Sequence, residues 1–174
     1  MKDGHIFPEY KIIKGQTSGF RKGLNLKEIE IPEKNWLRSH GNLSSVRFSN
    51  LKEIKQEVKF GENTRFDFLV TNENKKTFIE VKNVTLSRKK GLAEFPDAVT
   101  SRGLKHINEL LKANKKGFEI YLFYVIQRDD CMKFDLAKDI DPDYCELLLK
   151  AVKKNLNILC YDCKFSTKGI KLNR

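Results

Sequence analysis

Residues 45–174 predict an α/β sandwich, a mixed sheet flanked by helices. Three stretches with strand periodicity follow one another from about residue 50, and two helical stretches with one apolar face each come later. Between those helices lies a nearly unbroken apolar run at 118–127, the mark of a strand covered on both sides. The order βββαβαβ suits helices packed on one mixed sheet, in two or three layers.

The first strand, 54–60, alternates, with Ile54, Val58 and Phe60 on one face and Lys55, Glu57 and Lys59 on the other. Gly61-Glu62-Asn63 turns the chain, and strands at 65–71 and 77–84, joined by a polar loop around 72–76, complete an antiparallel meander. The segment 87–100, SRKKGLAEFPDAVT, reads as a basic loop. In the helix that follows, Leu104, Ile107 and Leu111 face the sheet, Arg102, Lys105, His106 and Glu109 share a polar face, and Gly117 stops the helix. Asp141 caps the second helix, Pro142 suits its first turn, and Lys150, Lys153 and Lys154 complement its carboxyl end. Its buried stripe is Tyr144, Leu147, Leu148 and Ala151. A strand at 156–161 and an edge strand within 164–172 close the domain. Residues 1–44 read as a separate irregular segment, in which only LKEIEI at 26–31 suggests a strand and the apolar residues are too scattered to bury much area.

Lysine and arginine number 34 against 23 acidic residues, a net charge of +11. Such a field steers toward nucleic acid or anionic lipid without specifying a fold. The longest apolar stretch is too short to span a bilayer and contains Glu119, and the amino terminus shows no secretory signal, so a cytoplasmic protein without a membrane role is expected. Cys160 and Cys163 form a CxxC with no partner motif, and Cys131 and Cys145 lie far apart, so reduced thiols are expected rather than zinc ligands.

The charges inside strand sequence are the signal for a site. Asp67 sits between Phe66 and Phe68, while Glu80 and Lys82 flank Val81. Buried charges are costly unless they are paired or bind a metal. Strand alternation puts Glu80 and Lys82 on the face of Phe78, with Ile79 and Val81 opposite, and hairpin pairing sets Asp67 beside Glu80. Two carboxylates and a lysine then converge, a site for a hard cation with an ammonium beside it. The competing reading is a cross-strand salt bridge of Asp67 or Glu80 with Lys82 or Arg65. Repulsion between the carboxylates would make Asp67→Asn or Glu80→Gln slightly stabilising.

An acidic residue, a loop and then Glu-x-Lys on the next strand resembles the PD-(D/E)xK nuclease superfamily. That likeness implies a restriction-endonuclease-like fold and catalytic Asp67, Glu80 and Lys82. Asp67 and Glu80 would hold Mg²⁺ or Mn²⁺ with help from the Val81 carbonyl and with Glu57 as an auxiliary carboxylate, and Lys82 would act on the attacking water. Phe66 stands where the superfamily has proline, and Pro96-Asp97 falls after the Glu-x-Lys strand, in the wrong order to replace it.

The runs RFDFLV, FIEVKNVTL and FPDAVTSRGLKHINEL, with DPDYCELLLKAVKKN and LNILCY, more closely resemble the sugar fermentation stimulation protein family, SfsA. The resemblance implies a DNA-binding protein whose carboxyl-terminal domain has the nuclease fold, with an association to sugar (maltose) metabolism; whether it cleaves DNA or only binds it stays open. It adds Asp97, Arg102, Lys105 and His106 as a family signature, with Arg102, Lys105, His106 and Arg65 expected at nucleic acid. The alternative for this segment is that Asp97 caps the helix and the basic residues form a solvated face. Family members also carry an amino-terminal oligonucleotide-binding barrel, for which residues 1–44 are too short, so that domain is expected to be missing or divergent.

Overall fold

The computed structural model describes residues 10–11, 52–73, 75–166 and 169–172. The strand expected at 26–31, with nearly all of the irregular segment 1–44, lies outside them. The elements in chain order are β1 (Tyr10–Lys11), β2 (Glu53–Phe60), β3 (Thr64–Thr71), β4 (Lys76–Val84), β5 (Leu86–Lys89), β6 (Leu92–Phe95), α1 (Ser101–Lys115), β7 (Glu119–Ile126), β8 (Lys133–Leu136), α2 (Pro142–Val152), β9 (Leu156–Ser166) and β10 (Gly169–Leu172).

Six strands form the main sheet in the order β10-β9-β7-β4-β3-β2. The meander β2-β3-β4 is antiparallel as expected, β7 runs parallel to β4 and β9 at the centre, and β10 closes as an antiparallel edge. Asn72 makes the tight turn between β3 and β4, its backbone donating to Lys75 O at 3.0 Å and its side chain accepting from Lys75 N at 2.8 Å.

The alternation of β7 builds two cores. Ile120, Leu122, Tyr124 and Ile126 point to one face, where they meet Ile107, Leu110 and Ala113 of α1 and Tyr144, Leu148 and Ala151 of α2. Tyr121, Phe123 and Val125 point to the other, with Phe68, Val70, Ile79, Val81 and Tyr161. Such a strand has no solvent face, so apolar residues fill it continuously.

The single-sheet expectation is incomplete. A second sheet, β1-β8-β6-β5, packs on the helix-bearing side, with Ala93, Phe134 and Leu136 in the first core. The segment read as a basic loop is therefore largely the β5–β6 hairpin. Its charges hid it, because Glu94 is buried only by virtue of Arg88, which donates to both of its carboxylate oxygens and also to Asp139.

Both helix starts are built by side chains. Thr100, not Asp97, caps α1, accepting from Gly103 N at 2.9 Å, while Asp97 is exposed. Asp141 caps α2 as expected, accepting from Tyr144 N at 2.9 Å, and its second oxygen accepts from Thr100 N at 2.8 Å, tying the two starts together. At Gly103 a Cβ would stand 2.9 Å from the Tyr144 ring and 2.8 Å from the Thr100 methyl, so only glycine lets α1 approach α2 this closely. Gly117, at φ 87°, ends α1 as expected, with Gly117 N and Phe118 N turning back onto Asn114 O and Ala113 O. All four cysteines are buried free thiols.

Candidate functional site

Register aligns three carboxylates in one row. The β2–β3 pairing that joins Gln56 to Phe68 and Val58 to Phe66 puts Glu57 opposite Asp67, and the β3–β4 pairing that joins Phe68 to Ile79 puts Asp67 next to Glu80. The β3–β4 ladder stops there, and Asp67 Oδ2 instead accepts from Val81 N at 2.7 Å. A buried amide thus keeps a partner while the strands part.

Glu57 takes φ 53°, the left-handed region, which costs a non-glycine residue about 1–3 kcal/mol. Around it the face pattern reverses. Ile54 and Phe68 belong to the second core, yet Val58 and Phe66 pack into the first, where Phe66 lies 5.4 Å from Phe60 and 4.9 Å from Phe78 between ring centroids. Simple alternation predicted one face for Ile54, Val58 and Phe60 and a solvent face for Glu57; the kink overrides it, and Glu57 joins the wall of a cleft.

Glu80 and Lys82 project with Phe78 toward the helices as expected, and both are buried. Lys82 Nζ donates to Glu80 Oε1 at 2.9 Å. From α1, His106 Nδ1 bonds the same oxygen and lies 3.1 Å from Lys82 Nζ. An ionised carboxylate only accepts and an ammonium only donates, so Nδ1 cannot serve both. Burial alone would raise the Glu80 carboxyl, but the His106 hydrogen bond and the Lys82 ammonium outweigh it and hold the group below its ordinary value. With Glu80 ionised, Nδ1–H donates to Oε1, and the Lys82 ammonium donates a second hydrogen bond to that oxygen. The salt bridge that forms joins Glu80 and Lys82, two residues apart on β4, rather than residues of different strands. It satisfies only half of the carboxylate, since Oε2 is buried with no hydrogen-bond partner among the described residues.

A cleft of about 640 Å³ opens over this cluster, lined by Glu57, Asn63, Thr64, Arg65, Asp67, Glu80, Ser101, Arg102, Lys105 and His106. Every expected site residue except Lys82 lines it, and Lys82 is held against two that do. Arg65, Arg102 and Lys105 are exposed around it, with Lys105 Nζ donating to Asn63 O at 2.7 Å. His106 is the correction. Expected on a polar helix face with Arg102, Lys105 and Glu109, it is only 8% exposed in its side chain and turned onto Glu80. Asn63, Thr64 and Ser101 were not anticipated, for Asn63 reads as turn, Thr64 falls between that turn and the expected strand, and Ser101 reads as helix start, none with a signal of its own.

Among the described residues no three His, Cys, Asp or Glu side chains are drawn closely enough to cage an ion. Two neighbouring carboxylates, one with an unpartnered buried oxygen, instead suit a cation that keeps most of its water, as Mg²⁺ does. The carboxylates of Glu57, Asp67 and Glu80 on the cleft wall are the oxygen donors that fit a hard divalent ion, with the His106 imidazole turned onto Glu80.

Fold and cleft together define an α/β protein with a paired-carboxylate and lysine cluster on the central strands of a mixed sheet. The family model described as the sugar fermentation stimulation protein RE domain matches residues 33–169. The chain belongs to the sugar fermentation stimulation protein (SfsA) family. It is 44% identical over 152 residues to the sugar fermentation stimulation protein homolog of Pelagibacter ubique, covering 86% of this chain and 66% of that one. To the homolog of Aliivibrio fischeri it is 37% identical over 169 residues, covering 88% and 72%. It is also similar to the solved structure of Pyrococcus furiosus SfsA in complex with Ca²⁺, at a TM-score of 0.65 and 28% identity, covering 72% of this chain and 54% of that one. The chain thus spans about half to two thirds of the length of several of its curated relatives. Among the described residues no helix is long and apolar enough to cross a membrane.

Proposed function

We propose that this chain is a cytoplasmic DNA-binding protein with a restriction-endonuclease-like sandwich and a nuclease-like divalent-metal site, serving the sugar-linked (maltose) regulation that its family resemblance implies. The observation that carries the proposal is Oε2 of Glu80, without a hydrogen-bond partner among the described residues and buried beside Asp67 beneath a rim of Arg65, Arg102 and Lys105. Leaving a buried charge half-satisfied is costly, and a structural salt bridge gains nothing from it. The Ca²⁺ held by the Pyrococcus furiosus relative supports a hard cation here, and the four free thiols suit a reducing compartment.

Asp67 and Glu80 would hold Mg²⁺ or Mn²⁺, with Glu57 at the side. When bound, such an ion neutralises phosphate oxygens and makes a coordinated water more acidic. Arg65, Arg102 and Lys105 would hold backbone phosphates, which position a nucleic acid without reading its sequence.

Active hydrolysis of the phosphodiester is the second reading. It is favoured by Lys82, an ammonium buried 2.9 Å from the carboxylate, where it can orient an attacking water and offset charge developing on oxygen. The test is cleavage of supercoiled and single-stranded DNA in Mg²⁺ or Mn²⁺ by wild type and Lys82→Ala. Metal-dependent cutting lost in the variant establishes the nuclease, salt-sensitive binding without cutting in either leaves the DNA-binding reading, and absence of DNA binding refutes both.

A further inference from the structure

A second cleft, of about 590 Å³, shares Asn63, Thr64 and Lys105 with the Glu80 cleft, so the two join into one trough. Its long wall is α1. Lys105, Glu109, Lys112 and Lys116 recur at intervals of four, three and four residues and so lie along one side of that helix, with Lys115 beside them. Phe60 also lines the trough, and Lys116 Nζ sits 5.0 Å from its ring centroid, a cation–π contact that holds one ammonium in place. Four lysines face two glutamates, Glu62 and Glu109. Glu109 already accepts from Lys112 Nζ at 2.7 Å, so the lining keeps a positive balance.

Lysines near a helix carboxyl end also complement its dipole, which accounts for Lys112 and Lys115 by themselves. It does not account for Lys105, ten residues before the helix ends and fixed to the Asn63 carbonyl at the junction of the two clefts. A row of ammoniums beginning at a carboxylate site and leading away from it matches a ligand that is itself a row of anions.

We infer that this trough is the exit path of a nucleic-acid strand whose reacting or metal-facing phosphate lies at Glu80, and that Lys112, Lys115 and Lys116 hold flanking phosphates of the same strand. The inference rests on the nucleic-acid reading above. From Lys105 to Lys116 the helix rises about 16 Å, the length of roughly four to five steps of one duplex strand. The ligand class is thus a polynucleotide backbone rather than a mononucleotide, which would fill the first cleft alone.

The experiment compares wild type with Lys112→Gln/Lys115→Gln/Lys116→Gln, exposed positions remote from the carboxylates, for binding to a duplex of roughly 20 base pairs across a salt series. Each phosphate contact contributes about 0.9 to the slope of log affinity against log salt, so the variant should lose about two to three units of slope and bind at least about tenfold more weakly at low salt. Mn²⁺ affinity, read by direct titration, should match wild type. A variant with unchanged slope and affinity would overturn the trough while leaving the Glu80 site untouched. If wild type itself showed no salt-dependent binding, the nucleic-acid reading would fall, and the trough with it.

Discussion

Glu80 and Glu94 are both buried carboxylates held by a cation, and both are held below their ordinary value, yet they are finished differently. Arg88 donates to both Glu94 oxygens, through Nε and the backbone N to Oε2 at 3.1 Å each and through a guanidinium nitrogen to Oε1 at 2.7 Å, and it also spans to Asp139. At Glu80, two donors crowd onto Oε1 and none reaches Oε2 among the described residues. A planar guanidinium satisfies a carboxylate by geometry, whereas a lysine and an imidazole are point donors that leave an oxygen to be bound by something else. The first arrangement fastens a hairpin. The second equips a cleft.

The largest effect should come from Glu80→Gln. It removes the charge on which Lys82 depends, and loss of one partner from a buried pair costs about 3–5 kcal/mol. This reverses the stabilisation that carboxylate repulsion would suggest, because Glu80 is neutralised by Lys82 and His106 rather than strained against Asp67. Urea denaturation should show the loss, and Mn²⁺ titration should show binding abolished. Glu94→Gln should cost less, because its partner Arg88 is 40% exposed and keeps Asp139 as a counter-ion, and it should leave Mn²⁺ affinity alone. Equal loss of Mn²⁺ binding in the two variants would erase the distinction between them.

His106 sharpens the contrast at an intermediate size. Asparagine places its amide nitrogen near imidazole Nδ1, and glutamine places its own nearer Nε2. If the Nδ1 bond positions Glu80, His106→Gln should weaken Mn²⁺ binding about 10-fold or more, while His106→Asn retains most of it. Equal behaviour of the two would show that the ring matters only by filling space.

The smallest effect concerns acid. The ordinary value for both glutamates is 4.5, and their folded values lie below it. The unfolded chain therefore takes up protons first as pH falls, so the stability they confer is complete above about pH 5 and drains as the pH drops through that ordinary value toward the folded ones. The stability gap between wild type and Glu80→Gln should accordingly narrow between about pH 7 and about pH 3.5. A gap independent of pH would mean that the carboxylate charge is not what stabilises the cluster.

Much of the site could be read from the chain because it rests on local rules. A period of two sets Glu80 and Lys82 on one face, and a short turn at Asn72 sets the register that brings Asp67 beside Glu80. Asp141 before Pro142 announced α2 for the same reason, since a cap acts within three residues. Where the reading failed, distance intervened. Arg88 and Glu94 make a strand pair out of a segment whose composition resembles a loop, and the left-handed Glu57 turns neighbouring side chains to faces that alternation forbids.

By itself the sequence determined the alternating strands, the charged residues lodged within them, the capped second helix and the basic balance, all consequences of backbone geometry acting over a few residues. Only the tertiary structure decided that Glu80 would have one oxygen occupied and one without a partner among the described residues. That outcome depends on His106, 26 positions away, being carried into the sheet by α1, whose approach requires Gly103 against Tyr144 and the shared Asp141 cap. Hydrogen-bond direction is decided by packing across the core, and no local pattern encodes it.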